Sequence, residues 1–225
     1  MKKFTKTTRT LAALLVSGTA LTGVASAADV SANFGVTSDY IWRGMTQNGG
    51  GTSASGGFDV DFGNGVYAGT WIGDVSFAGA DGSNTMATQE TDFYVGYTGE
   101  SGSLSYDVGY ITYMYDADDI NFDEIYVTLG TGGVSLSYYY LVGDDGDADA
   151  GDATYLSLDY ETEVGELGLA LHYGAYDAED WGLQDSTDIS ITLSKGDFSL
   201  AYVTTEDLTG DDDENRMVVS WGTSF

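Results

Sequence analysis

The 225-residue chain has no cysteine and no proline, and only seven lysines and arginines against 36 acidic residues. Without cysteine there is no disulfide, thiolate nucleophile or thiolate metal ligand. Proline lacks the N–H that a strand ladder uses, so its absence suits a chain made mostly of paired strands. No apolar run after residue 27 approaches the ~18 residues of a membrane-crossing helix. The formal charge of −29 repels nucleic acid and anionic lipid and attracts cations.

The first 27 residues have the composition of an export signal. Lys2, Lys3, Lys6 and Arg9 form a basic start, Leu11 to Val16 an apolar stretch, and Ala25-Ser26-Ala27 a small-residue cleavage site. Cleavage there leaves one domain, residues 28–225. Its basic residues are Arg43, Lys195 and Arg216, set against all 36 carboxylates.

What remains is alternation. About twelve short runs switch residue by residue between an apolar, aromatic face and a small, polar or acidic one. The first is expected to run unbroken to Arg43. Val30, Ala32, Phe34, Val36, Tyr40 and Trp42 fall on one face, and Asp29, Ser31, Asn33, Thr37, Asp39 and Arg43 on the other. The third is expected to turn Tyr67, Trp71, Val75 and Phe77 outward. Tight, Gly-containing connections alternate with longer ones near 44–56, 78–86, 115–120, 143–152, 177–185 and 205–214. That double alternation predicts a twelve-stranded antiparallel up-and-down transmembrane β-barrel, with both termini on the short-turn side. In outer-membrane barrels that side is periplasmic. The outward aromatics sort to the strand ends, as two interfacial girdles would. Phe62, Tyr67, Tyr97, Tyr106, Tyr160, Phe198 and Phe225 fall at the short-turn end, and Tyr40, Trp42, Phe58, Phe77, Tyr140, Tyr173 and Tyr202 at the other.

Parity sends the charges inward: Asp39, Arg43, Asp59, Asp61, Asp74, Glu90, Asp92, Asp107, Glu124, Asp159, Glu161, His172, Asp188 and Arg216. A water-filled interior so lined is expected to concentrate cations. Arg43 and Arg216 are expected side by side at the long-loop rim of the closing seam, either setting a transverse field or ion-pairing with Asp39. The only histidine, His172, could belong to a hydrolytic dyad or line the lumen; no Gly-x-Ser-x-Gly motif accompanies it. The runs 144–149 and 211–214 offer oxygen ligands, but neither has EF-hand spacing. No specific metal site and no cofactor are expected. No long segment offers itself as a plug, although the 44–56 loop could fold partly inward.

The opening motif, Ser31-Ala-Asn-Phe-Gly-Val-Thr-Ser-Asp-Tyr-Ile-Trp-Arg-Gly-Met-Thr-Gln47, resembles the TorF family of porins, earlier catalogued as conserved hypothetical (Gcw_chp-type) proteins of Gram-negative bacteria. The segments 92–97 and 106–110 and the final strand ending in Phe225 are similar as well. The resemblance implies an outer-membrane barrel and a pore, and it supplies no catalytic residues. The expected function is passive diffusion of small hydrophilic solutes with a preference for cations, and not catalysis. The expected partners are outer-membrane lipid and lipopolysaccharide, and the assembly machinery that receives a terminal Phe225. The alternatives are a closed structural or adhesion barrel with cation-binding acidic loops, and a hydrolase built on His172.

Overall fold

The computed structural model describes residues 28–78, 85–117, 119–208 and 215–225. The export signal, the 78–86 connection beyond Ala78 and the acidic run Asp211–Glu214 lie outside the described residues.

Fourteen strands are described: β1 Asp29–Thr37, β2 Ile41–Trp42, β3 Met45–Thr46, β4 Ser53–Asp61, β5 Val66–Ala78, β6 Thr85–Ser101, β7 Leu104–Tyr115, β8 Phe122–Thr131, β9 Val134–Asp144, β10 Thr154–Val164, β11 Leu167–Asp177, β12 Ser186–Lys195, β13 Phe198–Glu206 and β14 Arg216–Ser224. Twelve of them, β1 and β4 to β14, close into one antiparallel barrel, while β2 and β3 form a separate two-stranded sheet. Each barrel strand pairs with its barrel neighbours in sequence. The seam is closed by β1 against β14, from Asn33 opposite Ser224 to Thr37 opposite Ser220. Ala32 and Phe225 exchange two further backbone hydrogen bonds of 2.9 Å. The first strand starts and the last one ends beside the short turn at 62–65, since Asp29 lies opposite Asp61.

The outer surface carries the apolar residues that parity predicts for ten of the twelve strands, and for the first as far as Val36. Phe58, Phe93, Val108, Ile125, Leu136, Leu158, Leu171, Ile191, Leu200 and Val219 all stand exposed on it. Phe34 and Trp221 meet edge-on across the seam, 6.3 Å between centroids. An apolar belt of this extent around a closed sheet is what hydrocarbon surroundings require.

β5 is the exception, and its face is the reverse of the expected one. Tyr67 hydrogen-bonds Asp107 and Tyr126, Trp71 packs at a tilt against Tyr40, and Val75 is buried, all inside the barrel. Ile72 is exposed outside, and Asp74 shares its parity and is exposed rather than inward. Phe77, beyond a register shift, stacks on Tyr115, whose hydroxyl bonds Glu90. The cause is space. Gly69 lies opposite Tyr94, and Gly96 opposite Tyr67. A Cβ at either glycine would enter the facing tyrosine ring. Gly109 stands to Tyr126 in the same way. Tyrosines on one strand therefore lie flat over glycines on the next, and the interior is aromatic where only small and acidic residues are expected. Gly96→Val, which drives a branched side chain into the Tyr67 ring, is expected to destabilise the barrel by about 1–3 kcal/mol. Val95→Ile, on the outer face of the same strand, should change stability little. Heat-induced loss of the compact band in semi-native electrophoresis measures both.

Candidate functional site: the lumen and its inner hairpin

The first strand stops at Thr37, six residues before the expected end. Thr37 Oγ1 donates to the Asp39 carbonyl (2.8 Å), and the Val219 N–H donates to Ser38 Oγ (3.0 Å). Side chains that bond nearby backbone in this way compete with the ladder and release the strand. The chain then turns into the barrel. Ile41 pairs with Thr46 and Trp42 with Met45. Between them Arg43 (φ 49°) and Gly44 (φ 80°) form the turn. Positive φ at both central residues is the backbone of a two-residue type I′ hairpin. The alternation that extends through Trp42 is therefore genuine strand periodicity, but in an inner hairpin and not in the wall.

The hairpin is tied at its base, along its return and at its tip. At the base, Asp39 accepts from Thr46 Oγ1 (2.6 Å) and forms an ion pair with Arg216 (3.2 Å). On the return, the Ser76 N–H donates to the Gln47 carbonyl (2.7 Å). At the tip, Thr205 Oγ1 donates to the Gly44 carbonyl (2.9 Å), and a Cβ at 44 would collide with Thr205 and Asp188.

Arg43 occupies the centre. It is 1% exposed, and its guanidinium meets Glu124 of β8 at 2.6 Å, a residue 0% exposed. Four aromatic rings surround the cation: Trp42 at 4.2 Å, Tyr155 at 4.6 Å, Tyr176 at 5.0 Å and Tyr139 at 5.2 Å. Trp42 in turn packs edge-on against Tyr113, Phe122 and Tyr176. Tyr40, Trp42, Tyr67 and Phe77 are thus lumen residues, not members of the outer girdles. Arg43 and Arg216 do not stand together at the rim. Arg216 keeps the expected Asp39 pair, while Arg43 is carried across the interior to another strand. Segment 41–47 enters the interior, so the 44–56 loop folds partly inward through its first residues, as it was expected it could.

The other expected lumen residues separate into three groups. Glu90 and Asp92 are buried on β6, and Glu90 Oε2 and Asp92 Oδ1 have no hydrogen-bond partner. Asp107 is buried and bonded to Tyr67, and Asp59 is bonded to Tyr94. Asp61 and Glu161 sit at the short-turn mouth, where Asp61 accepts from the Gly63 N–H (2.7 Å). On the far wall His172 bridges two carboxylates. Nδ1 contacts Asp159 at 2.6 Å and Nε2 contacts Asp188 at 2.7 Å. The Tyr155 hydroxyl bonds Asp188 (3.0 Å) and His172 Nε2 (2.9 Å). Among the described residues no serine bonds this imidazole. Ser157 bonds Asp159 instead. No local signal marks the aromatic cage around Arg43: Trp42 is its neighbour in sequence, but Tyr139, Tyr155 and Tyr176 lie on the consecutive strands β9, β10 and β11, remote from the hairpin in sequence.

Outside the barrel, the acidic loop after β9 is knitted to its neighbours. Asp144 accepts from Trp181 Nε1 (2.9 Å) and from the Gly146 and Ala148 N–H groups, and Asp145 accepts from Asn121 (2.6 Å). Among the described residues no three carboxylate or histidine side chains converge as metal ligands.

A twelve-stranded barrel with a polypeptide hairpin across a charged interior is a porin-like architecture. The chain belongs to the family described as bacterial protein of unknown function (Gcw_chp), whose model matches residues 22–219. Among solved structures it is similar to the KdgM porin, with TM-score 0.55 and 9% identity, over 87% of this chain and 98% of that one. A structure of KdgM porin in complex with disordered oligogalacturonate gives TM-score 0.48 at 8% identity, over 87% and 97%. OccAB4 of Acinetobacter baumannii gives 0.40 at 11%, over 83% and 56%. At 9% identity the first likeness establishes the fold and no residue role. No curated protein sequence matches the chain.

The Arg43–Glu124 pair gives a direct test of the inner hairpin. Glu124→Ala leaves a buried guanidinium without its counter-charge and should destabilise by about 3–5 kcal/mol. Combining it with Arg43→Gly should restore most of that loss. Thermal unfolding in detergent, followed by circular dichroism, measures the cycle.

Proposed function

We propose that the protein is an outer-membrane channel of the TorF porin kind, passing small hydrophilic solutes passively and favouring cations. The observation that carries this reading is the division of faces: an apolar belt outside, and Asp39, Asp59, Glu90, Asp92, Asp107, Glu124, Asp159 and Asp188 inside one closed sheet. Charge placed on the lipid side would be costly, and charge placed on the water side sorts solutes. The two inward arginines are already neutralised by Glu124 and Asp39, while Glu90 and Asp92 face no basic residue among the described ones. Interior carboxylates therefore outnumber interior cations. No nucleotide motif supports an energised role. An export signal ending at Ala27, termini in the periplasm and an assembly contact through Phe225 complete the proposal. The long loops, with their surplus of carboxylates, then face lipopolysaccharide and the exterior.

A closed structural barrel is the second reading, favoured by the dry packing of Arg43 and Glu124 at the centre. Planar bilayer recording separates the two. The wild-type protein should give small single-channel currents, with a reversal potential in a KCl gradient on the cation side. Glu90→Gln with Asp92→Asn should move that potential toward zero. An anion-side reversal would sink the charge assignment. A silent membrane, even with Arg43→Gly, would favour the closed barrel.

A further inference from the structure

The way Arg43 is held is that of a bound ligand. Its guanidinium stands among Trp42, Tyr139, Tyr155 and Tyr176 at 4.2–5.2 Å, with one carboxylate, Glu124, at 2.6 Å. Three of the four rings and the carboxylate belong to the barrel wall, on β8, β9, β10 and β11. The wall part is a cation cage in its own right, and aromatic faces with a nearby carboxylate are how proteins bind organic cations. The space is demonstrated by the side chain that fills it.

Arg43 also uses the cage incompletely. Only one ion-pair contact to Glu124 is made, at Nη2. Nε and Nη1 are buried without hydrogen-bond partners, and so is Glu124 Oε1. A side chain placed there only to brace the barrel would be expected to satisfy its donors, because each one left bare costs about 1–3 kcal/mol. Its backbone is strained as well, with a residue that carries a Cβ at φ 49°, where glycine is favoured. The hairpin thus delivers a guanidinium to a cage that makes little use of its hydrogen-bonding capacity.

We infer that the wall cage of Glu124, Tyr139, Tyr155 and Tyr176 is a binding site for a small organic cation, of the guanidinium or alkylammonium class, and that Arg43 is its tethered occupant. A solute cation and Arg43 compete for the same rings and the same carboxylate. Binding of the solute displaces the hairpin tip. This rests on the channel reading only for its consequence, the opening of the lumen; the site itself is tested by binding.

The probe is ethylguanidinium, which reproduces the end of the arginine side chain. The test protein is Arg43→Gly, whose backbone at φ 49° glycine adopts without strain. Arg43→Asn, which also tolerates this conformation and is too short to reach Glu124, is the second. Ethylguanidinium should raise the thermal midpoint of both variants in detergent, and sodium at equal ionic strength should not. Because a tethered competitor acts at a high effective concentration, the wild type should need at least about tenfold more probe for the same shift. Adding Glu124→Gln to Arg43→Gly should abolish the shift. The inference is overturned if neither variant responds beyond sodium, or if the Glu124→Gln combination responds equally. In bilayers the probe should block the Arg43→Gly current. A thermal shift without any current would uphold the site while removing the channel reading.

Discussion

Everything in this molecule depends on the pairing of β1 with β14. Antiparallel strands leave a row of unpaired N–H and C=O groups at each edge of a sheet, and in a hydrocarbon surrounding no solvent can satisfy them. Joining Asn33–Thr37 to Ser220–Ser224 removes both edges at once. Closure also creates an inside. From then on each side chain in the wall has one of two environments, chosen by its parity alone, and a one-residue slip would exchange them throughout a strand. The apolar belt and the acidic interior are therefore two consequences of the same ring.

A ring of twelve strands encloses more space than short polar side chains can fill. The structure solves this with aromatic mass. Tyrosines of the wall lie over glycines of adjacent strands, Tyr67 over Gly96 and Tyr94 over Gly69, and the hairpin adds Trp42 and Arg43 from above. A cation is an apt filler for an interior crowded with carboxylates. Bringing a guanidinium out of water costs several kcal/mol, and the cost is offset only where a counter-charge and polarisable faces await it. Glu124 and the four rings supply both. A neutral side chain at 43 would spare that desolvation, but it would leave Glu124 buried and unmatched.

Much of this was legible in the sequence, and the failures have physical causes. Period-two alternation and glycine turns located the barrel strands and their order, because those signals are local. The inward charges followed from parity wherever the strand was an ordinary wall strand, as at Asp107, Asp159 and His172. Two places misled. At Ser38-Asp39 the side chains bend the backbone out of the wall while the apolar alternation runs on into Trp42; periodicity identifies a strand but not the sheet to which it belongs. In β5 the aromatic residues were equated with the lipid face. The corrective signal was present in Gly69 and Gly73, which share parity with Tyr67 and Trp71. A face that alternates tyrosine with glycine is built to interlock with a neighbouring strand, whereas a lipid face has no use for such gaps. The Arg43–Glu124 contact was not legible at all, since its partners lie 81 residues apart and nothing local links them.

The position of the hairpin ties the charge of the interior to the space the hairpin fills. On one wall Glu90 and Asp92 carry oxygens without hydrogen-bond partners, and Tyr40 of the inner segment lies nearby, tilted against Trp71 of the same region. On the opposite wall Asp188 touches the tip at Gly44 and shares His172 and Tyr155. Withdrawing the hairpin tip, residues 41–46, would remove one cation, Arg43, from an interior whose carboxylates outnumber Arg216 and His172. Without the tip the interior would be more negative by one charge, at the level of Glu124. Any solute able to take Arg43's place must restore that charge, so the element that closes the barrel also fixes the sign of what can open it.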